Sequence, residues 1–432
     1  MENKFNPTKY QLETFVTKRV FDDDSKWTLD DCECEKPSLI RAIYEKKQLE
    51  LKDDTWGIYK FADWLPISRT LDGSASPVTY KSEKLAKYLG LDNLYITLNG
   101  YYPEVGALMT TCSFKETEAY SVCGRLSPDN GKVLVVASAG NTARAFAKVC
   151  SENNIPLLLC VPKDNIDALW SEKPINDCVK LVVSESGSDY FDAIHISNVA
   201  VKDNRFLAEG GAKNVARRDG MATTMLSAVT TIGEIPDYYF QAIGSGTGAI
   251  AAWEANLRFI EDGRFGNKLS KLMLSQNAPF LPMYDAWKIK SRDLLPLDDN
   301  LARKQVEEID AKVLSNRKPP YGVAGGLYDA LVETDGEILS ATNAEAEEAA
   351  RIFEEYEGVD IHSASAVACA SLIDAVKNNL IDKSKIVMLN ITGAGEKKLQ
   401  QNKELHYLQP CSEFSVDADD KTILNRLAEI FF

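Results

Sequence analysis

Short, unbroken apolar runs recur along most of the chain: Leu94–Thr97, Val133–Val136, Leu157–Val161, Lys180–Val183, Tyr238–Ile243, Lys271–Leu274 and Lys385–Leu389. Each is long enough for a strand and too short for a helix. Between them apolar positions fall at helical spacing, over Thr142–Asn153, Gly248–Ile260, Asn343–Tyr356 and Ser363–Asn378. Strands that are apolar on both faces belong inside a covered sheet, and helices between them are crossovers. The pattern therefore predicts an α/β fold with mostly parallel sheet. Two stretches break it. The first fifty-odd residues cluster Asp22, Asp23, Asp24, Asp30 and Asp31 around Cys32 and Cys34, followed by an amphipathic stretch from Ser38 to Gln48. A charged, proline-containing stretch from Arg292 to Pro320 reads as a surface excursion.

Composition narrows the class. The chain has 432 residues, 45% hydrophobic and 26% charged, the balance of a soluble globular protein. Its net charge of −15 and pI near 4.9 argue against sequence-independent nucleic-acid binding, which needs many Lys and Arg to replace counterions. No apolar run approaches the roughly 20 residues of a membrane helix, and the start, Met1 to Pro7, lacks a signal-peptide core. Nine irregularly spaced cysteines make no disulfide framework. The Cys32-x-Cys34 pair lacks the four ligands of a structural zinc site, and His195, His362 and His406 do not cluster, so no metal centre is expected. The expectation is a cytoplasmic, acidic enzyme acting on small molecules, with no nucleic-acid or membrane partner.

Three strand-to-helix turns carry the candidate chemistry. Gly244-Ser245-Gly246-Thr247-Gly248 follows an apolar run and opens a helical one. Glycines admit a ligand close to the backbone, and the first free N–H groups of a helix attract an anion. Locally this is a phosphate cradle for a small cofactor, a dinucleotide turn or a plain tight turn. A dinucleotide site wants an acid ending a second strand, but Glu261 and Asp262 close the same helix. Ser138-Ala139-Gly140-Asn141-Thr142 repeats the plan after Val133–Val136, either as a helix cap or as donors to a carboxylate. Asn390-Ile391-Thr392-Gly393-Ala394-Gly395 is a third turn, and Ser113-Phe114-Lys115 precedes a helical run from Glu116 to Val122.

In that order, Ser113-Phe114-Lys115, Ser138–Thr142, Gly244–Gly248 and Thr392–Gly395 resemble the threonine synthase branch of fold-type II pyridoxal-phosphate enzymes, whose fold is tryptophan synthase β-like. The similarity runs from roughly Trp56 to Gly395. Within the branch, Thr111 to Glu118, where Glu116-Thr117 replaces the usual Asp-Arg after S-F-K, is most similar to the archaeal members that form cysteate. The resemblance implies two three-layer α/β/α domains: a large cofactor-binding domain from residues 56–125 and 225–432, and a smaller substrate-carboxylate domain from 126–224. Residues 1–55 would be an N-terminal extension. The Tyr-x-Cys-x-x-Cys-Gly start of many relatives is absent, since Tyr10–Thr14 has no cysteine.

Residue by residue, the resemblance implies that Lys115 attaches to pyridoxal phosphate and later moves a proton at the substrate's Cα. Asn141 would bond the cofactor's phenolic oxygen, Gly244, Ser245, Gly246, Thr247 and Gly248 its phosphate, and Thr392 would face its ring nitrogen. Ser138, Ala139, Gly140 and Thr142 would hold the substrate carboxylate. Arg144, Lys213, Asn214 and Arg217 are candidates for the substrate phosphate, against the simpler reading of a solvated basic face. Cys112 reads as packing and Glu357 as a possible wall residue. The implied reaction is β-replacement of O-phospho-L-serine by sulfite, giving L-cysteate and phosphate on the route to coenzyme M, by a homo-oligomer. The alternative within the branch is threonine synthesis from O-phosphohomoserine, one methylene longer, a difference worth only about 1–3 kcal/mol in a pocket. An NAD-binding dehydrogenase is the more distant alternative.

Overall fold

The apolar runs become strands whose successive side chains enter opposite cores. In the computed structural model, which describes residues 6–23, 37–129, 131–138, 140–188 and 190–432, Leu134 and Val136 pack with Leu157, Leu159, Leu181 and Val183 on one face. Val133, Val135, Leu158, Cys160 and Val182 pack on the other. Tyr239 and Phe240, and Leu272 and Met273, divide in the same way between the two cores of a larger sheet. The period-2 alternation of a strand does this automatically, and each buried aliphatic or aromatic side chain contributes about 1.5–3 kcal/mol.

Among the described residues the larger sheet has seven strands. Its main path runs Glu337–Ala341, Lys271–Asn277, Tyr238–Ala242, Ile386–Ala394, Asn93–Tyr102, Val78–Lys81. Every pairing on this path is parallel except the last, where Val78–Lys81 runs antiparallel to Asn93–Tyr102. The smaller, five-stranded sheet is wholly parallel, in the order Phe206–Ala208, Val133–Ala137, Leu157–Pro162, Val179–Ser184, Pro410–Phe414. Helices Asn141–Glu152, Thr247–Asp262, Asn343–Glu357 and Ser363–Lys377 occupy the predicted stretches within two residues at each end.

Three features differ from the expectation. Pro410–Phe414, assigned with the larger domain, pairs in parallel with Val179–Ser184 of the smaller sheet. The helix Asp420–Phe431 follows it, placing Ile423 and Leu427 against Phe206 and Phe414. Sequence distance hid this pairing. Near the N-terminus, Tyr10–Thr14, Val20–Phe21 and Ile40–Tyr44 make an antiparallel sheet. Its buried Leu12, Ile40 and Ala42 join Met221, Met225 and Trp253 in one core, so the amphipathic stretch near Ser38 is a strand. The Arg292–Pro320 stretch is more than an excursion. It contains the helix Asp299–Glu308, buries Ala302, Ile309, Ala311 and Leu314, and returns to line the cleft at the strand ends. Asp24, Asp30, Asp31, Cys32, Cys34 and Ala139 lie outside the described residues.

Candidate active site

Parallel strands deliver their following loops to one edge, so residues distant in sequence converge at the carboxyl ends. One cleft there, about 1040 Å³ including its open mouth, is lined by Ser113–Lys115, Ser138, Gly140–Thr142, Gly244–Gly248, Thr392 and Gly393. That space suits a cofactor together with a small amino acid. Across the mouth lie Lys312–Asn316, the returning end of the charged stretch, with the carbonyl of Val313 packed so near Gly244 that an added Cβ would sit 2.9 Å from it.

Lys115 opens the helix Lys115–Arg125. The start of that helix is tied to the strand carrying Thr392, because the Phe114 N–H donates to the Thr392 carbonyl at 2.9 Å. The Lys115 side chain is only 18% exposed, and burial pushes its amine below the ordinary lysine value, with Glu118 opposing that shift and Arg217 adding to it. An amine held in this way is a better nucleophile at neutral pH than a solvated one. Lys115 Nζ donates to Glu118 Oε2 at 3.1 Å.

The glycine loop leads into the helix Thr247–Asp262, whose cap residue Gly246 offers no side chain and whose first N–H reaches Ser245 Oγ only at 3.4 Å. Gly246 has φ of +78°, a left-handed turn that aims the helix start into the cleft. The Ser245 and Thr247 hydroxyls lie 2.8 Å apart beside it. An uncapped helix start with two hydroxyls is a donor set for a phosphate. Beneath it Gln241 lines the cleft and accepts from Asn390 Nδ2 at 2.9 Å, while Asn99 donates to Asn390 Oδ1 at 2.8 Å.

Asn141 is oriented from behind. Arg144 Nη2 donates to Asn141 Oδ1 at 2.8 Å, leaving the amide N–H groups of Asn141 as the free end. The remaining donors of Arg144 go to the Thr111 and Ala168 carbonyls, both at 3.1 Å, and its guanidinium stacks 4.0 Å from the Trp170 ring. Thr392 is 8% exposed, with its hydroxyl 3.4 Å from that of Ser365.

Of the four substrate-phosphate candidates, Arg217 lines the cleft, and Arg144, Lys213 and Asn214 are not among its lining residues. Asn214 caps the helix Val215–Ile232, accepting from the Ala216 N–H, and Lys213 sits in the short turn before it. Glu357 accepts from Tyr80 and Ser82 instead of forming a wall of the cleft. Cys112 is fully buried. Sequence reasoning missed Tyr190, Met221, Gln241, His362 and the 312–316 segment. Only His362 left a trace, as one of three histidines, and its Nε2 stands 3.2 Å from Glu396 Oε2. Among the described residues no group of three His, Cys, Asp or Glu is arranged to hold a metal, and no helix is long and apolar enough to cross a membrane.

The residues fit pyridoxal phosphate: a buried amine, an uncapped helix start, an amide presenting its N–H groups and a hydroxyl all face one cleft. Comparison with known proteins agrees. Residues 75–393 match the family described as pyridoxal-phosphate dependent enzyme. A protein named cysteate synthase from Methanosarcina mazei is 47% identical over 95% of this chain and 99% of its own length. Its namesakes from Methanosarcina acetivorans and Methanocella paludicola are 50% and 49% identical, over 86% and 88% of this chain and 90% and 89% of their own lengths. Among solved structures, tomato (Solanum lycopersicum) threonine deaminase isoform 2 superposes with a TM-score of 0.55 at 16% identity, covering 75% of this chain and 86% of the deaminase. Maize serine racemase gives 0.55 at 12% identity, covering 76% of this chain and 91% of the racemase. At those identities the shared property is the fold, which is fold-type II. The chain belongs to the cysteate synthase family of pyridoxal-phosphate-dependent enzymes.

Proposed function

We propose that this enzyme converts O-phospho-L-serine and sulfite into L-cysteate and phosphate, as a cytoplasmic homo-oligomer on the route to coenzyme M. The observation that carries the reading is the 47% identity to a cysteate synthase across 99% of that protein's length. The convergence of Lys115, Asn141, the glycine loop and Thr392 on one cleft supports it.

When bound, pyridoxal phosphate supplies the electron sink that makes the substrate's α-hydrogen acidic. The chain's own residues do the rest. Gly244–Gly248 hold the cofactor's phosphate at the helix start, Asn141 donates to its phenolic oxygen, and Thr392 offers a hydroxyl in place of a carboxylate at its ring nitrogen. Ser138, Gly140 and Thr142, together with Ala139, orient the substrate carboxylate. Lys115, less basic through burial, takes the α-proton as the phosphate at Cβ departs. Sulfite then forms the new carbon–sulfur bond at that carbon, and Lys115 returns the proton to the α-carbon. Arg217, which lines the cleft, is the proposed partner for the anionic substrate groups, in preference to Arg144, Lys213 and Asn214.

The test is phosphate release by the purified holoenzyme. Sulfite-dependent release from O-phosphoserine, with cysteate as product, is expected. Release from O-phosphohomoserine with water as nucleophile would replace the proposal with threonine synthesis. Borohydride reduction should fix the cofactor onto Lys115, and sedimentation gives the assembly state.

A further inference from the structure

Lys115 has a buried carboxylate one helical turn away. The Glu118 side chain is fully buried, with its Oε2 accepting from Lys115 Nζ at 3.1 Å and its Oε1 3.2 Å from Arg217 Nη2. Arg217 is held on its other side by Glu209 at 2.6 Å, and Glu209 also accepts from the Gly211 N–H at 3.0 Å. Two cations and two carboxylates therefore share one largely buried corner of the cleft. Their charges cancel only while Lys115 is protonated. A carboxylate buried without a partner is strongly unfavourable, so Glu118 has reason to keep both of its cations close.

We propose that Glu118 is the seat of the Lys115 amine whenever that amine is free of the cofactor, and that it couples the amine's charge to Arg217 on the same cleft wall. The inference rests on the reading of Lys115 as the cofactor lysine. Attachment to the cofactor would draw the Lys115 nitrogen away from its 3.1 Å contact with Glu118, leaving Arg217 as the cation facing both carboxylates. When the amine is released beside the substrate, Glu118 holds it one turn from its own backbone, within the cleft and out of bulk water. Glu118 is thus a positioning residue acting through Lys115. The groups that act on the charge of Lys115 are Glu118 on its own helix, Arg217 on Val215–Ile232 and Glu209 just beyond the strand Phe206–Ala208, while Tyr190 on the helix Tyr190–Ala200 acts on Arg217. His362 also lines the cleft, beside Gly393.

The experiment uses full-length protein stripped of cofactor. Pyridoxal phosphate is added across a pH series, the rate of visible absorbance growth is followed, and borohydride reduction with peptide mapping locates the attachment. In Glu118→Gln the loss of the carboxylate leaves Arg217 to repel the amine. The midpoint of the rate profile should fall by about one pH unit, making attachment at pH 7 about tenfold faster, and Glu118→Asp should move it back. Arg217→Gln serves as a second variant in case Glu118→Gln does not fold. It leaves two carboxylates facing the amine, so its midpoint should rise. Attachment at Lys115 with an unmoved midpoint in whichever variant folds would overturn the role of Glu118 and leave the cofactor reading intact. Attachment at another residue would overturn both.

Discussion

Arg144 donates from Nη2 to Asn141 Oδ1 across 2.8 Å, and this bond decides which end of the Asn141 amide faces the cleft. With the oxygen engaged from behind, Asn141 can only donate forward. Arg144→Met removes that constraint and strips the Thr111 and Ala168 carbonyls of their charged donor. We expect a stability loss of about 3 kcal/mol, since bonds to a buried charged group are worth more than neutral ones. Urea denaturation measures it. A titration with pyridoxal phosphate should show weaker cofactor binding, and unchanged affinity would refute the orienting role.

The left-handed turn at Gly246 separates cradle geometry from backbone strain. An added Cβ would lie 2.7 Å from Leu327 Cδ2 at φ +78°, so Gly246→Ala should cost about 1–2 kcal/mol from the backbone alone and also displace the helix start. Gly263 ends the same helix at φ +79° with nothing within 4 Å of its Cβ position. Gly263→Ala should lose similar backbone stability yet keep cofactor affinity. Equal affinity in the two variants would show that the loop is no cradle.

Glu116 gives a pH signature. Burial pushes its carboxyl above the ordinary value of 4.5, although it accepts from the Thr111 N–H and hydroxyl at 3.1 and 2.9 Å. A raised carboxyl binds more protons folded than unfolded. Its contribution is complete below pH 4.5 and is lost as pH rises through the folded value. Glu116→Gln should therefore lose less stability than the parent between pH 5 and pH 7. Parallel unfolding curves for the two proteins at both pH values would contradict this.

Thiol labelling checks the interior. Cys112, Cys123, Cys150, Cys160 and Cys369 are buried, and burial pushes the Cys112, Cys150 and Cys160 thiols up, away from the reactive thiolate. Cys411 is exposed on the last strand of the smaller sheet. Native-state alkylation read by mass spectrometry should mark Cys411 first among these six. Early labelling of Cys123 or Cys150, whose sulfurs are 3.8 Å apart between the Lys115 and Asn141 helices, would mean that those helices separate readily.

Much of the frame was legible because strands and helices leave local traces. Val133–Val136 and Leu157–Val161 are apolar without a break because both faces of their sheet are covered, and the glycine loop announces itself by residue type. Pairing between distant segments leaves no such trace. Pro410–Phe414 carries no long apolar run, and its place beside Val179–Ser184 follows from the tertiary fold. The Arg292–Pro320 stretch looks polar because one side meets solvent, while Val313 and its neighbours reach the cleft through backbone as much as through side chains.

The apolar runs along the chain specified the parallel architecture, and the ordered motifs pointed, by resemblance, to Lys115 as the proposed cofactor lysine and to Gly244–Gly248 as the proposed phosphate turn, because each rests on residue type within a few positions. Which basic residue faces the reaction depended on where helices cross, and local sequence does not encode that. Arg144 is turned away to orient Asn141, Asn214 caps a helix, and Arg217 reaches the cleft wall, held there by Glu118 and Glu209. All three are polar residues near glycine-rich turns. Burial and the partners supplied by other segments separate their roles, since a charge taken out of water goes where its counter-charges are.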